Sequence, residues 1–340
     1  MISEYLSKVL HGAVDNVISW NAHWGWVSCD RKTGRLEREK QTLWRKIKLL
    51  LLFNPLTEWV DTTQAMRLYT HNRTIKQGEK EGTLESKKDI KLFVEEFGID
   101  MNEYKPSDIN EYSTFEDFFV RAHKDGSRPT HEPSNHAHAV VAADSRVVAY
   151  ESVAEAKHLW IKGKNFSIST LVMDTDLGSQ FYGAAVASFR LSPQDYHRYH
   201  SPVSGKVKVF RSIPGDYYQV DAIALQSDVD ILTRNRRVYL VIETESFGDV
   251  LFVAIGATNV GSVNIIDAEA DKYRIHEKFQ QIGAKFAKGD ELGYFQFGGS
   301  SIIVAFQNGR ISFDQDLLDL SKQRIQVAVE IDMSLGYATN

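Results

Sequence analysis

Three short segments contain the residue types that nucleophilic catalysis requires. Asp144 lies in ADSR, His197 and His200 lie in LSPQDYHRYHSP, and Ser300 follows a glycine pair in FGGSS. A serine hydroxyl is a weak nucleophile, so it needs a neighbouring base, and that base needs a carboxylate to hold its tautomer. Asp144, a histidine and Ser300 meet this need if the fold brings the three segments together. The sequence therefore predicts Asp–His–Ser chemistry.

Each of these segments also has an ordinary structural interpretation. An aspartate in a turn, such as Asp144, commonly caps the turn, and a Gly-Gly-Ser-Ser tract is commonly a flexible loop. Here, however, the glycine pair lies between two strand-like runs, 294–297 and 302–304. Glycines in a tight bend let the backbone take positive φ, which leaves the carbonyl of Gly299 open to attack.

The spacing of His197 and His200, three residues apart, is also compatible with metal binding. The chain has no HExxH motif, and no cysteine lies near the two histidines, so zinc is the less favoured interpretation and we predict no metal. Cys29 is the single cysteine, which excludes an intramolecular disulfide and suits a reducing compartment.

The elements that must position these residues follow from the patterning. From His136 onward, β-branched and aromatic runs alternate with turn residues, which predicts a β-rich half. The predicted strands are 140–141, 147–150, 184–191, 207–210, 238–243, 250–255, 262–266 and 302–306. Helical periodicity dominates the first third, including 87–98 and 115–121. We therefore predict an α+β protein, with a helical region 1–130 followed by a β-rich catalytic domain 131–340.

Composition excludes several classes of protein. The 340 residues are 43% hydrophobic and 25% charged, which is ordinary for a globular chain. A net charge of −5 provides no global positive field, and the phosphate-binding glycine motifs of nucleotide folds are absent, so we predict no nucleic-acid partner. The longest aliphatic stretch, 49–53, is far shorter than the roughly 20 residues of a membrane span. The N-terminus is a poor signal peptide and favours an amphipathic helix.

One segment of the first third is locally basic and apolar. Residues 31–48 contain eight Lys or Arg and two Glu, and they run into Leu49–Phe53, with Trp44 and Trp59 nearby. Packing in a helical core is one interpretation. Contact with an anionic membrane surface is the other, because interfacial helices have this composition. Both interpretations remain open at the level of sequence.

The chemical residues stand in longer segments that resemble the phosphatidylserine decarboxylase family. The segments are FEDFFVRAHKDGSRP at 115–129, ADSRV at 143–147, LSPQDYHRYHSPVSG at 191–205, PGDYY at 214–218, NRRV at 235–238, IGATNVGSV at 255–263, GDELGYFQFGGSS at 289–301 and VEIDMSLGYATN at 329–340. Their order and length make the resemblance specific over about 115–340, especially to the eukaryotic form. Residues 1–110 match only loosely.

The resemblance implies a self-processing enzyme. Asp144, His200 and Ser300 match the family's triad, in which the histidine, oriented by the aspartate, takes the proton of the serine hydroxyl. The hydroxyl then attacks the carbonyl of Gly299, and the peptide bond between Gly299 and Ser300 is converted to an ester. Elimination and loss of ammonia would leave a β chain, 1–299, and an α chain that begins with a pyruvoyl group made from Ser300.

This pyruvoyl group is the covalent cofactor that the resemblance implies. The amine of phosphatidylserine would form a Schiff base with it, lose CO₂ and give phosphatidylethanolamine. His197 matches the other family histidine and is our candidate for the acid that protonates the product carbon. We expect the headgroup site around Ser300, His197 and the turn 214–216.

The sequence departs from the family pattern at two positions and leaves three competing functions to consider. Ser301 stands where the family usually has threonine, and Ser145 replaces a glycine common in bacterial members; neither change removes a required group. Gly-Gly-Ser-Ser also occurs in relatives that decarboxylate free aromatic amino acids such as tryptophan, which is the alternative function. A non-catalytic lipid-binding relative and a serine hydrolase, which would lack its GxSxG elbow, are less favoured.

The implied partners follow from a lipid substrate. They are phosphatidylserine itself and a membrane surface, contacted peripherally, and the resemblance is compatible with a homodimer. The sequence favours an intracellular protein, cytoplasmic or bound to a membrane surface. No recognisable import or retention signal indicates an organelle.

Overall fold

The computed structural model describes residues 27–38, 80–159, 166–216, 230–256, 275–296 and 300–339. The predicted N-terminal helix, most of the basic segment 31–53, the predicted strand 262–266 and Gly299 lie outside these ranges. Helices within them are α1 Lys88–Phe97, α2 Phe115–Phe119, α3 Val153–Leu159, α4 Ile168–Val172, α5 Thr175–Ser179, α6 Ile231–Arg234 and α7 Gln315–Lys322. Short 3-10 turns cover Leu84–Lys87, Met101–Glu103, Ile109–Glu111 and Glu277–Phe279.

Strands make up most of the described chain after residue 136. In order they are β1 Val27–Asp30, β2 Leu36–Arg38, β3 Tyr104–Lys105, β4 Ala122–His123, β5 His138–Val140, β6 Ser145–Tyr150, β7 Ala185–Leu191, β8 Arg198–His200, β9 Gly205–Ile213, β10 Arg237–Glu243, β11 Asp249–Gly256, β12 Lys285–Phe286, β13 Glu291–Tyr294, β14 Ser300–Phe306, β15 Ile311–Phe313, β16 Gln326–Val329 and β17 Ser334–Ala338.

A ten-stranded sheet organises these strands, in the order β12-β9-β10-β11-β14-β7-β6-β16-β1-β2. Its neighbouring strands run antiparallel except β1 and β16, which are parallel with Ser28 opposite Gln326. Smaller sheets pair β13 with β8, β15 with β17 and β5, and β3 with β4. Strand β14 therefore lies inside the sheet, between β11 and β7.

The large sheet is buried on both faces because its central strands are nearly continuous runs of apolar residues. Side chains alternate across a strand, so Ile302 and Val304 of β14 enter one core layer and Ile303 enters the other. We call these the first and second layers. The first also contains Tyr199 of β8 and Leu335 of β17, whereas helix α4 covers part of the second.

Helices α1 and α2 pack against each other through an aromatic cluster. Ile90 of α1 is buried with Phe115 and Phe118 of α2. Helix α1 ends at Gly98, whose φ of 66° is the left-handed conformation that glycine adopts without strain. Thr114 begins α2 with a capping box. The residues directly after this cluster, from Val120 onward, support the candidate site.

The α+β class predicted from patterning is confirmed. The predicted runs from 140–141 to 250–255, and 302–306, correspond to β5, β6, β7, β9, β10, β11 and β14. The predicted helix 87–98 is α1, whereas α2 ends at Phe119, because Val120 leaves helical geometry at φ −94° and ψ 24°. Strands β1 and β2 join the large sheet from within the predicted helical region; the boundary at 130/131 itself stays a prediction.

Candidate active site

Ser300 is the first residue of β14 and is held in the sheet on both sides. It lies opposite Gly256 of β11 and Leu191 of β7. Its side chain is completely buried, and Oγ has no hydrogen-bond partner among the described residues. Alternation along β14 points this hydroxyl to the same face as Ile302, which belongs to the first core layer. A buried hydroxyl without a partner is costly, so its retention calls for an explanation.

Ser301 provides a direct contrast one residue further along β14. Its side chain points to the opposite face, and its hydroxyl donates a hydrogen bond of 3.0 Å to the carbonyl of Phe189. The two adjacent serines therefore differ in their hydroxyls: that of Ser301 bonds the backbone of β7, whereas that of Ser300 has no partner among the described residues.

Residues 192–200 carry both candidate histidines, and we call them the histidine segment. The segment begins where β7 ends, beside Ser300. Asp195 closes the turn, because its Oδ2 accepts the N–H of Ser192 at 2.7 Å and its carboxylate also binds Arg146. His197 is buried, with Nδ1 2.9 Å from the carbonyl of Asp195 and its ring centroid 3.9 Å from that of Phe119. A carbonyl only accepts, so Nδ1 carries the hydrogen and Nε2 is the atom that exchanges protons.

His200 ends β8 at the edge of the same turn. Its backbone N–H donates to the carbonyl of Ala142 at 2.8 Å. In the ring, Nε2 lies 3.3 Å from the hydroxyl of Tyr196, and Nδ1 lies 3.7 Å from Oδ2 of Asp332. Burial raises the pKa of Tyr196, so its hydroxyl stays protonated and can donate to His200.

Asp144 lies just before β6, beside His123 and Arg128. Its Oδ1 accepts the N–H of Ile331 at 2.7 Å, and its Oδ2 lies 3.6 Å from both Nε2 of His123 and Nη2 of Arg128. Burial alone would raise the pKa of Asp144. The nearby ring of His123, the charge of Arg128 and the Ile331 amide outweigh burial and hold the pKa below its ordinary value. Asp144 is therefore an ionised, buried carboxylate.

The four predicted site residues lie around one end of the large sheet but do not form the expected hydrogen-bonded chain. Among the described residues, no hydrogen bond or ion pair joins Asp144 to His200, or His200 to Ser300. Asp144 contacts His123 instead, and His200 contacts Asp332. Gly299, the predicted cleavage partner of Ser300, lies outside the described residues.

Sequence reasoning missed the residues that complete these contacts: His123, Arg128, Tyr196 and Asp332. The first three lie inside the segments 115–129 and 191–205, so their position near the site could have been anticipated. Asp332 lies in the segment 329–340, but its contact with His200 could not be anticipated, because it depends on how β16 and β17 pass the histidines.

A buried arginine fixes the histidine segment from the side of α2. Arg121 is 1% exposed, and its Nη2 donates to the carbonyl of Gln194 at 2.7 Å. The guanidinium also lies over the ring of Tyr104, 4.4 Å from its centroid. Arg198 extends the connection, because its Nε donates to the carbonyl of Val120 at 2.8 Å. The residues after α2 thus hold the turn that carries His197.

Neither a cluster of metal ligands nor a membrane-spanning helix is found among the described residues. Within the described ranges, no three or more His, Cys, Asp or Glu side chains are grouped as metal ligands would be. No described helix combines the length and apolar character that crossing a membrane requires.

Comparison with known proteins shows which family has this combination of segments. Residues 115–331 match the family model for phosphatidylserine decarboxylase. The chain is 36% identical over 307 residues to phosphatidylserine decarboxylase proenzyme 3 of Schizosaccharomyces pombe, covering 90% of this chain and 30% of that protein. It is 42% identical over 271 residues to proenzyme 2 of Oryza sativa, covering 79% and 41%.

A bacterial relative matches over nearly its whole length. The phosphatidylserine decarboxylase proenzyme of Fusobacterium nucleatum is 32% identical over 311 residues, covering 92% of this chain and 97% of that protein. The chain spans less than half the length of the yeast and plant relatives. The family match covers Asp144, His197, His200 and Ser300, whereas Asp332 lies one position beyond its end. This chain belongs to the phosphatidylserine decarboxylase family.

Proposed function

We propose that the chain cleaves itself between Gly299 and Ser300 and then decarboxylates phosphatidylserine. The observation that carries the proposal is the hydroxyl of Ser300, which is buried, unbonded among the described residues and placed at the start of a central strand. Proenzymes of the same family match the chain on both sides of this residue. A serine that acts as a nucleophile, rather than a structural serine, accounts for a buried hydroxyl that has no partner among the described residues.

In the proposed first step, His200 takes the proton of the Ser300 hydroxyl at Nε2. The Ser300 oxygen then attacks the carbonyl carbon of Gly299, and the C–N bond to Ser300 breaks as its nitrogen takes the proton back from His200, which converts an amide into an ester. A base, His200 or a neighbour, then removes the α-proton of Ser300, and the bond between its Cβ and the ester oxygen breaks, which releases 1–299 with a C-terminal carboxylate. The remaining dehydroalanine exchanges its nitrogen for oxygen from water and releases ammonia.

Decarboxylation is proposed to use the group left on the second chain. A pyruvoyl group formed from Ser300 supplies an electron sink when CO₂ leaves a bound amine. His197 holds the proton for the carbon that loses CO₂, at Nε2, because Nδ1 is committed to the carbonyl of Asp195. Phe119 and the buried setting of His197 exclude water from this proton.

The substrate and the site of action are also proposals. Relatives named for phosphatidylserine favour a phospholipid over the free aromatic amino acid. A phospholipid substrate requires peripheral contact with a membrane surface, and the basic composition of 31–48 supports this. We retain the homodimer as a proposal that rests on the resemblance alone.

Intact mass spectrometry of the freshly expressed protein tests the processing step. We expect wild type to release a 41-residue C-terminal fragment, 300–340, lighter by one ammonia than a fragment that begins with serine. Ser300→Ala should remain a single chain. Ser301→Ala is the matched control: its hydroxyl bonds Phe189 on the other face, so cleavage should persist.

Incubation of the cleaved protein with two substrates tests the reaction. We expect CO₂ release from phosphatidylserine vesicles and none from tryptophan, and the vesicles should sediment with bound protein. Release from tryptophan alone would select the amino-acid decarboxylase. A wild type that stays whole under every condition would overturn the proposed chemistry and leave lipid binding as the leading function.

A further inference from the structure

Arg121 is a buried arginine whose charge no described carboxylate neutralises. The residue lies just after α2 and is 1% exposed. No acid in the described ranges lies at ion-pair distance from its guanidinium, and its Nε and Nη1 have no hydrogen-bond partner among the described residues. Burying a charge without an opposite charge is costly, so the retention of this arginine calls for an explanation.

Two other arginines that contact this part of the chain each have an acid as partner. Arg146 binds Asp195, and Arg198 binds Glu291. Although Asp195 lies close to Arg121, its carboxylate is engaged by Arg146 and by the N–H of Ser192. An ion pair that stabilises the fold therefore accounts for Arg146 and Arg198 but not for Arg121.

The hydrogen bonds of Arg121 go to two successive carbonyls of the histidine segment. Its Nη2 donates to the carbonyl of Gln194 at 2.7 Å and to that of Asp195 at 3.3 Å. The guanidinium also lies over the rings of Tyr104 and Phe118, 4.4 Å and 4.9 Å from their centroids. Aromatic faces attract a cation and offset part of the cost of its burial. Helix α2 and its surroundings thus direct a positive charge at the backbone of residues 194–195.

The carbonyl of Asp195 is also the acceptor that orients His197. Nδ1 of His197 lies 2.9 Å from this oxygen, so one carbonyl accepts from both the guanidinium and the imidazole. Phe119 packs on the same imidazole, with 3.9 Å between ring centroids. The ring is therefore held on its face by Phe119 and at Nδ1 by a carbonyl that Arg121 binds. Because a carbonyl only accepts, this contact places the hydrogen on Nδ1.

The other candidate histidine is held by different contacts. The backbone N–H of His200 donates to the carbonyl of Ala142, and His200 lies opposite Glu291 in the β8–β13 ladder. Within the described residues, Arg121 makes no hydrogen bond to β8. Loss of Arg121 should therefore disturb His197 more than His200.

We propose that Arg121 is a positioning residue for decarboxylation and not for self-cleavage. By holding the carbonyl of Asp195, Arg121 keeps the hydrogen on Nδ1 of His197 and leaves Nε2 to hold the proton for the carbon that loses CO₂. A charged donor suits this task because charge-assisted hydrogen bonds are stronger than neutral ones. Arg121 touches no reacting atom, and the proposal rests on the proposed role of His197.

The kinetic test compares wild type with Arg121→Met and Arg121→Lys. Methionine keeps an unbranched apolar stem without a donor, whereas lysine keeps a charged donor. We expect Arg121→Met to cleave itself within about threefold of the wild-type rate and to decarboxylate phosphatidylserine in mixed micelles at least about tenfold more slowly in kcat per cleaved chain. Its KM should change by less than about twofold, because Arg121 acts through His197. Arg121→Lys should recover at least about threefold in kcat over Arg121→Met.

A matched control and a second variant complete the kinetic test. Arg310→Met, at an exposed position in the turn between β14 and β15, should leave both rates unchanged. Arg121→Gln, which keeps a neutral donor, should show the same difference between the two reactions and replaces Arg121→Met if methionine prevents folding. A parallel loss of cleavage and decarboxylation without recovery by lysine would assign Arg121 a structural role and overturn the proposal. An unchanged kcat in either uncharged variant would also overturn it.

A second measurement does not depend on catalysis. In uncleavable Ser300→Ala, the ¹⁵N shifts of the neutral imidazole of His197 report which ring nitrogen carries the hydrogen, and His197→Gln assigns the signals. We expect the hydrogen on Nδ1 when Arg121 is present and a mixture of both tautomers in Arg121→Met. The same tautomer in both proteins would refute the positioning role even in an active decarboxylase. A changed tautomer in a chain whose Ser300 form never decarboxylates would support the contact and overturn the proposed function instead.

Discussion

At the scale of single residues, the two acids near the candidate site are buried in different ways. Asp144 receives the amide of Ile331 and lies beside Arg128 and His123, and these contacts hold its pKa below the ordinary value. Asp332 instead faces His200, with one oxygen unbonded among the described residues. The partners of Asp144 therefore stabilise its charged form in the folded protein.

This difference predicts how stability depends on pH. A carboxyl whose folded pKa is depressed stabilises the protein above its unfolded pKa, near 3.9, and this contribution is lost as pH falls through the folded pKa. In the Ser300→Ala background, Asp144→Asn should therefore lower the free energy of unfolding by about 1–3 kcal/mol at neutral pH. The loss should shrink below about pH 4.

Urea unfolding at pH 7 and at acid pH measures this effect. Asp176→Asn, at an exposed position in α5, is the control and should change stability by less than about 0.5 kcal/mol. A deficit in Asp144→Asn that persists unchanged in acid would contradict the compensated state of this carboxylate.

At the scale of elements, α2 and the residues after it support the turn that carries the histidines. Phe119 packs on the ring of His197, and Arg121 binds the carbonyl of Gln194. Helix α2 is only five residues long, so packing of its three buried aromatic residues, more than propensity, maintains it. The amphipathic periodicity of the sequence located this helix, but it could not reveal that its last residue contacts a histidine far along the chain.

We expect Phe119→Ala to weaken both the fold and the processing reaction. Removing a fully buried phenylalanine leaves a cavity and should cost about 3–5 kcal/mol. His197 then loses the ring that packs against it. Thermal unfolding and the yield of the cleaved chain measure the two effects.

The matched control lies on the neighbouring helix. Leu92 of α1 is 66% exposed, and Leu92→Ala should change stability by no more than about 0.5 kcal/mol. If Phe119→Ala were as stable as Leu92→Ala, the assigned packing of α2 on the histidine segment would be wrong.

At the scale of the whole molecule, the residues after the proposed cleavage position contribute two internal strands to the large sheet. Strand β14 lies between β11 and β7, and β16 lies between β6 and β1. Arg31, beyond β1, also forms ion pairs with Asp314 and Asp316. The proposed α chain therefore contributes internal strands rather than an appendage.

This topology predicts that the two chains stay associated after cleavage. They should co-elute in size-exclusion chromatography without denaturant and separate only in guanidinium, because dissociation would expose both neighbours of β14. Arg31→Ala should leave them together, since the sheet carries most of the contact. Separation of the fragment under native conditions would contradict this arrangement.

The sequence by itself determined the local features of this protein. Three kinds of feature could be predicted, because they depend only on side-chain type and short-range spacing. They are the apolar runs of β7, β10, β11 and β14, the glycine that ends α1, and the ordered segments around His197, His200 and Ser300. Family membership followed from the same segments. These features needed no knowledge of which strands become neighbours.

Only the tertiary structure decided which residues and strands from distant parts of the chain contact each other. It paired Asp144 with His123 and His200 with Asp332, and it set β1 parallel to β16. A strand reverses the direction of every side chain when its register moves by one residue, so contacts between distant segments depend on how the whole sheet packs. The residues next to Asp332 in the sequence do not determine which side chain it contacts, because the contact forms between segments far apart in the chain.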